Sequence, residues 1–167
     1  MKRLQVAAAA LVAAASPLLS EQPITFFGIG PLRVGMKPPV ASEALGAPLV
    51  LTEPKEWAGS SCYHLHISGD TSLQFMFEDG RVARVETEDP RFRTASGVRV
   101  GDTEAVVHRI YATRLEVQHH KYIPSGHYLI VRSADHHYAL VMETDGQQVV
   151  GMRAGVEPSV EYVEGCE

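Results

Sequence analysis

The chain has 167 residues, of which 45% are hydrophobic and 21% are charged, and its formal net charge at pH 7 is −5. This composition is ordinary for a globular protein and predicts one domain. An acidic chain of this size lacks the clustered lysines and arginines that a phosphate backbone requires, so we expect no binding to nucleic acid.

The first twenty residues differ in kind from the rest. Lys2 and Arg3 precede a run rich in alanine, leucine and valine, and no acidic residue occurs before Glu21. This pattern predicts a secretory signal peptide over 1–20, whose apolar run is too short and too weakly flanked to be a membrane-spanning helix. Its removal takes the formal net charge from −5 to −7. No cysteine ends the run to carry a lipid, so we expect a periplasmic or secreted domain over 21–167 without a membrane anchor.

The two cysteines, Cys62 and Cys166, both lie outside this leader. An even number of cysteines in an exported chain favours one disulfide, and two free thiols are the alternative. Closing a loop of about 100 residues stabilises a fold by about 4–5 kcal/mol in the chain-entropy model. The bond would also fasten the C-terminus to the first half of the chain.

The region after the leader predicts a short strand over 23–27 and a short helix over 38–46. Two prolines suit the first turn of this helix, and Gly46 suits the position just past its end. A helix of about two turns is unstable alone, so packing must hold it. The loop over 47–59 carries the only tryptophan, Trp57.

Three strands are predicted next, over 62–67, 73–77 and 82–88. In the first, alternation places His64 and His66 on the face opposite the apolar side chains. Asp79-Gly80, between the second and third strands, is typical of a type I′ hairpin turn. Strict alternation in the third strand would place Val82 and Arg84 on one face.

The second half of the chain predicts the same order of elements. A helix is expected from Thr103 to about Tyr111. The four strands of this half are expected over 115–117, 127–131, 138–142 and 149–152. Asp145-Gly146 repeats the hairpin signal 66 positions after Asp79-Gly80. We therefore predict two tandem repeats, followed by a tail, with these bounds: about 31–90, about 97–155, and 156–167.

A helix followed by an antiparallel meander, present twice, predicts an α+β fold. We expect the two repeats to form one curved sheet with the short helices on one face. Because nothing in the pattern covers the other face, we expect that face to be open and to act as an interaction surface.

Short motifs in both repeats carry a family resemblance. They are Val34-Gly35-Met36, Ala44-Leu45-Gly46, Tyr63 and Phe75-x-Phe77-x-Asp79-Gly80-x-Val82 in the first repeat, and Val100-Gly101-Asp102, Tyr128 and Asp145-Gly146 in the second. This order, over about 31–155, resembles the unit of β-lactamase-inhibitor-protein-like domains. The SmpA/OmlA outer-membrane-assembly lipoproteins carry a single copy of a similar unit. The tandem form implies a protein that grips another protein on a concave sheet, and the missing lipidated cysteine argues against the lipoprotein role.

The sequence gives little support for an active site or a metal site. His64 and His66 would share a strand face, but a metal ion needs a third ligand, such as His127, from another strand. We favour a solvated, histidine-rich sheet face and expect no metal and no other cofactor. The chain has no Gly-x-Ser-x-Gly nucleophile motif, and its aspartates at hairpin turns serve conformation, so we expect no enzymatic activity.

The segment over 120–128 is the strongest recognition candidate, because it groups two tyrosines, two histidines and a lysine around a Pro-x-Gly turn. Tyrosine is over-represented where one protein binds another. We therefore expect a non-enzymatic module that binds an envelope or extracellular protein in an inhibitor-like manner. The alternative is a lectin-like glycan-binding or small-ligand-binding envelope protein. The residues predicted to contact the partner are Trp57, His64, His66, Arg84, Lys121, Tyr122, His127 and Tyr128.

Overall fold

The computed structural model of the chain describes residues 18–52 and 60–166. Within these residues the fold is α+β, with two antiparallel sheets and two short α-helices. The smaller sheet joins three two-residue strands near the N-terminus, β1 (Ile24–Thr25), β2 (Gly28–Ile29) and β3 (Leu32–Arg33).

The larger sheet has eight strands in the order β4-β5-β6-β7-β11-β10-β9-β8. Their bounds are Leu49–Leu51 (β4), Cys62–Ile67 (β5), Asp70–Glu78 (β6), Arg81–Thr87 (β7), Leu115–His119 (β8), His127–Arg132 (β9), Tyr138–Thr144 (β10) and Val149–Val156 (β11). All neighbouring strands are antiparallel. The two four-stranded halves meet where β7 pairs with β11, so this pair lies at the centre of the sheet.

Helix α1 spans Pro38–Leu45 and helix α2 spans Glu104–Tyr111. Prolines occupy the first turn of α1, and Gly46 follows it with φ 65°, a left-handed conformation that glycine adopts without a steric cost. Both helices contribute buried residues to the same hydrophobic core, so they cover one face of the large sheet.

The core lies between this face and the helices. Fully buried Phe75, Phe77, Val85, Leu129 and Met142 project into it from four strands. Each such side chain stabilises the fold by about 1.5–3 kcal/mol relative to exposure. The strand face that alternation assigned to apolar residues is therefore the face that the helices cover.

The two halves match each other in position. The bounds of α1 and α2 differ by 66 positions at both ends. In the first half, Gly35 N–H donates to Val82 and Val82 N–H donates to Met36, at 2.8 and 2.9 Å. In the second half, Gly101 N–H donates to Val149 and Val149 N–H donates to Asp102, both at 2.8 Å. Each helix is thus preceded by a glycine that is hydrogen-bonded to the last strand of its own half.

Several predicted elements are confirmed. Strand β5 spans Cys62–Ile67, as the alternation indicated. Asp79 and Gly80 have φ values of 50° and 70°, and positive values at both positions are the signature of a type I′ turn.

The strict alternation predicted for β7 is wrong. Val82 pairs with Phe77 and belongs to the hydrophobic core, whereas Arg84 pairs with Met76 and lies on the opposite face. The register shifts between Met76 and Phe77, which leaves Ala83 as an extra residue on β7. Because of this β-bulge, Val82 and Arg84 lie on opposite faces of the sheet although they are two positions apart in sequence.

The predicted disulfide is confirmed, since Cys62 and Cys166 are bonded with their Cα atoms 5.3 Å apart. It joins β5 to residues 157–166, which we name the C-terminal segment. A bond of this kind persists chiefly in exported proteins.

Candidate functional site

The large sheet has a second face, opposite the helices, which we name the helix-free face. It carries the alternate side chains of the central strands, among them His64 of β5, Gln74 of β6, Arg84 of β7 and Arg153 of β11. The chain places charged residues on this face at strand positions that are otherwise apolar. The helix-free face is therefore polar over these central strands.

The C-terminal segment covers part of this face. Val160 and Val163 pack against four residues of β9 and β10, namely Tyr128, Ile130, Ala139 and Val141. The face predicted to be open is thus covered over β9 and β10, and its remaining polar part lies over the central strands.

Polar contacts hold the C-terminal segment at several points besides the disulfide. Arg84 Nη1 donates to the carbonyl oxygens of Ser159 and Tyr162, at 3.2 and 2.7 Å. Ser159 Oγ donates to Glu78, and Lys121 forms an ion pair with Glu164. These contacts fix the segment's path from β11 to β5.

Arg84 belongs to one of two charged clusters on the helix-free face. Its Nη2 lies 2.8 Å from Glu86 Oε2, and His64 Nε2 lies 3.2 Å from Glu86 Oε1. The Arg84 side chain is only 3% exposed. A buried guanidinium needs such a partner, since an uncompensated buried charge is strongly destabilising.

The second cluster is built in the same way around Glu143. Arg153 Nη1 lies 3.3 Å from Glu143 Oε2, and His120 Nε2 lies 2.8 Å from Glu143 Oε1. The Arg153 guanidinium also lies over the ring of Tyr128, 5.4 Å from its centroid. Each cluster therefore consists of one arginine, one glutamate and one histidine.

The orientation of His120 follows from its backbone contacts. Its Nδ1 accepts hydrogen bonds from the N–H groups of Tyr122 and Ile123, at 3.0 and 3.1 Å. Nε2 of the neutral ring therefore carries the proton and donates it to Glu143. The loop after β8 thus holds the Glu143 carboxylate in place.

The pKa values within the first cluster follow from burial and charge. Burial lowers the pKa of Arg84, as does the nearby charge of Arg153, against the opposing effect of Glu86. Burial alone would raise the pKa of Glu86, but the hydrogen bond from His64 and the charge of Arg84 outweigh it and lower that pKa. Glu86 is therefore an anion at neutral pH.

A cavity of about 350 Å³ opens between the two clusters. The residues lining it include Ser72, Gln74, Arg84, Glu86, Glu143 and Arg153. Its volume is within the range of small-ligand sites.

Unsatisfied hydrogen-bond donors concentrate at this cavity. Among the described residues, the buried side-chain nitrogen atoms without a hydrogen-bond partner in the protein are Arg84 Nε and Arg153 Nε. Both belong to residues that line the cavity. Such atoms are few in native proteins and each calls for an explanation, which a ligand that accepts hydrogen bonds would supply.

The structure distributes the eight predicted contact residues over several places. Arg84 lines the cavity, His64 lies beside it, and Tyr128 lies 5% exposed beneath Arg153. His66 is on the same face, towards the sheet edge, where its Nδ1 lies 3.0 Å from Thr52 Oγ1.

The other predicted residues lie farther from the cavity. Lys121 and Tyr122 are in the exposed loop after β8, with the Lys121 ammonium 5.2 Å from the Tyr122 ring centroid. Trp57 lies outside the described residues. His127 is on the helix-bearing side, so the eight residues do not form one surface.

The contacts of His127 show its position. Its Nδ1 lies 2.8 Å from Glu104 Oε1, and Thr144 Oγ1 donates to the same oxygen. Burial alone would raise the pKa of Glu104, but the hydrogen bonds from Thr144 and His127 lower it. This cluster connects the first turn of α2 to the sheet.

The position of His127 also removes it as a third metal ligand for His64 and His66, because these lie on the other face. Within 18–52 and 60–166, no group of three His, Cys, Asp or Glu residues is arranged to hold a metal ion. The described part of the chain also contains no helix that is both long and apolar enough to cross a membrane.

The list of predicted contact residues omits four members of the two charged clusters: Glu86, His120, Glu143 and Arg153. Of these, His120 lies within the recognition candidate over 120–128. Two of them carry a signal, because Glu143 and Arg153 interrupt the otherwise largely apolar strands β10 and β11. The contacts that join them cross from strand to strand, and these contacts depend on the order of the strands in the sheet.

Comparisons with known proteins identify a fold. No family model and no curated protein matches the chain. The uncharacterized protein yfeY from Escherichia coli is similar in structure, with a TM-score of 0.50 and 12% identity over 80% of this chain and 99% of that one. An extracellular protein containing a SCP domain from Bacillus anthracis matches with a TM-score of 0.48 and 10% identity, over 92% of this chain and 50% of that one. The likeness to the first is one of fold alone.

Proposed function

We propose that the protein is an exported, non-enzymatic binding module that holds its partner on the helix-free face. The observation that carries this proposal is the cavity between the two charged clusters, which gathers the unsatisfied donors Arg84 Nε and Arg153 Nε. Buried polar groups left unpaired by the fold are costly, and they are retained where a ligand pairs them.

The chemistry of the cavity favours binding over catalysis. Its cations are arginines, which stay protonated and so cannot exchange protons with a substrate. The pKa of Glu86 is lowered, by the hydrogen bond from His64 and the charge of Arg84 against the effect of burial, which makes it a poor general base. Glu143 is held between Arg153 and His120. These groups are suited to fixing a polar ligand in place.

The partner we propose is an envelope or extracellular protein, bound in an inhibitor-like manner. A glycan is the second candidate, and the aromatic residues near the C-terminal segment favour it. Tyr122 is 60% exposed and Tyr162 is 39% exposed, so both rings are available to stack on a sugar.

Export is part of the same proposal. The disulfide between Cys62 and Cys166 supports an oxidising compartment, and the pattern over 1–20 supports a signal peptide. We place the mature chain in the periplasm or outside the cell.

The inhibitor-like architecture is also a proposal, in which the two halves are copies of one repeat. Support comes from the common offset of 66 positions between α1 and α2 and from the matching hydrogen bonds of Gly35 and Gly101. A tandem repeat of this kind is the form that resembles the β-lactamase-inhibitor-protein-like domains.

A capture experiment with paired variants tests the proposed function. The oxidised mature protein is the bait in an envelope extract, and bound proteins are identified by mass. Gly151 lines the cavity, and a Cβ there would meet its nearest atoms only at 3.7 Å, so Gly151→Leu fills the cavity without removing a charge. Ala105→Leu makes a comparable change on an exposed position of α2.

We expect one stoichiometric protein that binds the unchanged protein and Ala105→Leu and is lost with Gly151→Leu. Equal capture by both variants would contradict binding at the helix-free face. Capture of no protein, together with saturable retention on a polysaccharide, would replace the protein partner by a glycan.

A further inference from the structure

We propose that the cavity receives a carboxylate, placed between the guanidinium groups of Arg84 and Arg153. This inference rests on the proposed binding function and specifies the chemistry of its ligand. It follows from the donors that the cavity residues leave unpaired, from the charges around them and from the space between them.

The donors require an acceptor with more than one oxygen. Arg84 and Arg153 each lack a partner at Nε, and they come from the two central strands β7 and β11. A carboxylate has two oxygens and accepts hydrogen bonds from more than one direction, so a single group can satisfy both arginines.

The fold places this pair of cationic donors close together and gives each of them one carboxylate partner on its Nη side. The charge of Arg153 lies near enough to lower the pKa of Arg84, as burial does, so two cations are held close together on one face. Glu86 lies 2.8 Å from Nη2 of Arg84, and Glu143 lies 3.3 Å from Nη1 of Arg153. The Nε atom of each guanidinium has no hydrogen-bond partner in the protein, so it can pair with an anion that reaches it.

The carboxylates of the lining do not exclude a further anion. Glu86 and Glu143 are each paired with one arginine, and the other oxygen of each is contacted by a histidine, His64 or His120. Glu88 also lines the cavity, but it is exposed, so water screens its charge. A carboxylate adds charge attraction to both guanidinium groups and offers two acceptor oxygens, which an amide or a sugar hydroxyl does not combine.

In a protein partner the carboxylate belongs either to an acidic side chain or to the chain terminus, and two pairs of peptides separate these sources. The first pair is acetyl-Gly-Glu-Gly-amide with its neutral counterpart acetyl-Gly-Gln-Gly-amide. The second pair is acetyl-Gly-Gly with a free carboxyl end and the same peptide as an amide. Inorganic phosphate tests whether any anion suffices.

The readout is the Nε–Hε nuclear magnetic resonance signal of single arginines in the ¹⁵N-labelled, oxidised mature protein. The signals of Arg84 and Arg153 are assigned from their arginine-to-lysine variants. Arg91 and Arg132 serve as internal controls, because their Nε atoms already donate to Asp89 and Glu116. This measurement detects weak binding and does not depend on a functional assay.

We expect a saturable shift of the Arg84 and Arg153 signals with at least one free-carboxylate peptide, and an affinity for its neutral counterpart about tenfold or more lower. Gly151→Leu, with unchanged Arg91 and Arg132 signals as evidence of folding, should abolish the shift. The proposal of a carboxylate ligand would be overturned by equal responses to acid and neutral peptides, by a stronger response to phosphate, or by no shift at all.

The two proposals fail in different ways. If a partner protein is captured and lost with Gly151→Leu but no carboxylate peptide moves the two arginine signals, the ligand chemistry is wrong and the binding function stands. If the peptides bind and no protein is captured, the carboxylate site stands and the protein partner is wrong.

Discussion

Arg84 donates a hydrogen bond to the carbonyl oxygen of Tyr162 at 2.7 Å, across 78 positions of sequence. The same guanidinium lines the cavity and pairs with Glu86. One side chain therefore connects the C-terminal segment to the proposed site, and a change at Arg84 should affect both.

Arg84→Lys should loosen the C-terminal segment. An ammonium group cannot reproduce the planar guanidinium that contacts Glu86 and the carbonyl oxygens of Ser159 and Tyr162 together. A hydrogen bond to a charged group contributes about 1.5–3 kcal/mol. We therefore expect hydrogen exchange at the Tyr162 amide to be at least about tenfold faster than in the unchanged protein, measured by native-state exchange. Arg153→Lys is the control, because Arg153 donates to Glu143. Equal acceleration in both variants would contradict a specific role of Arg84.

Reduction of the disulfide should destabilise the whole fold. Cys62 and Cys166 are 104 positions apart, and in the chain-entropy model a bond closing a loop of this size contributes about 4–5 kcal/mol to the free energy of unfolding. Urea unfolding of the oxidised and reduced protein measures the difference. The Cys62→Ser, Cys166→Ser double variant should match the reduced protein and be insensitive to reductant. A difference below about 1 kcal/mol would contradict the model, with residual contacts then holding the unfolded chain together.

The sequence predicted those parts of the fold that local chemistry determines. The bounds of β5 and the Asp79-Gly80 turn follow from alternation and from the glycine-rich hairpin signal, which act over a few residues. The same holds for α1, where prolines and Gly46 mark the ends. The disulfide followed from the even number of cysteines together with the predicted signal peptide.

The site required information that no local pattern contains. The bulge at Ala83, which separates Val82 from Arg84, is a property of the pairing between β6 and β7. The meeting of Arg84 and Arg153 depends on β7 and β11 being neighbours, although they are distant in sequence. Covering of the helix-free face by Val160 and Val163 likewise depends on the path of the chain after β11.

Acid should destabilise the protein in part through Glu86. Burial alone would raise its pKa, but His64 and Arg84 lower it below the ordinary value of 4.5, so the folded state binds a proton less readily than the unfolded state. The resulting stabilisation is complete above about pH 5 and is lost as pH falls through the folded pKa. Glu86→Gln removes this titration, so its free energy of unfolding should fall less steeply below about pH 5. Urea unfolding at several pH values measures both slopes.

Glu157→Gln provides a control of opposite sign. Burial and the charge of Glu161 raise the pKa of Glu157, against the effect of Arg132, so this group makes the folded state bind protons more readily. Its removal should make the loss of stability in acid steeper than in the unchanged protein. A shallower slope in both variants would show that the two carboxyl groups do not differ in this way.

Gly155 should be the glycine of β11 that tolerates no side chain. It pairs with Arg84 at the centre of the sheet, and a Cβ there would lie 2.2 Å from the carbonyl oxygen of Ala83 and 2.7 Å from the Arg84 Cα. Because these are backbone atoms, relief of the clash requires β7 and β11 to separate. We expect Gly155→Ala to lower the free energy of unfolding in urea by about 1–3 kcal/mol or more.

Gly151, four residues earlier on the same strand, provides the matched control for this prediction. A Cβ at Gly151 would meet Glu88 Cγ and the Thr87 carbonyl oxygen at 3.7 and 3.8 Å, which is ordinary van der Waals contact. Gly151→Ala should therefore leave the stability unchanged or raise it by about 0.4–1 kcal/mol through the lower entropy of the unfolded chain. Equal destabilisation by the two substitutions would mean that loss of glycine itself, rather than the close approach of β7 and β11, determines the cost. A larger loss of stability at Gly155 alone would show that β7 and β11 approach each other closely at Arg84, the residue that connects the cavity to the C-terminal segment.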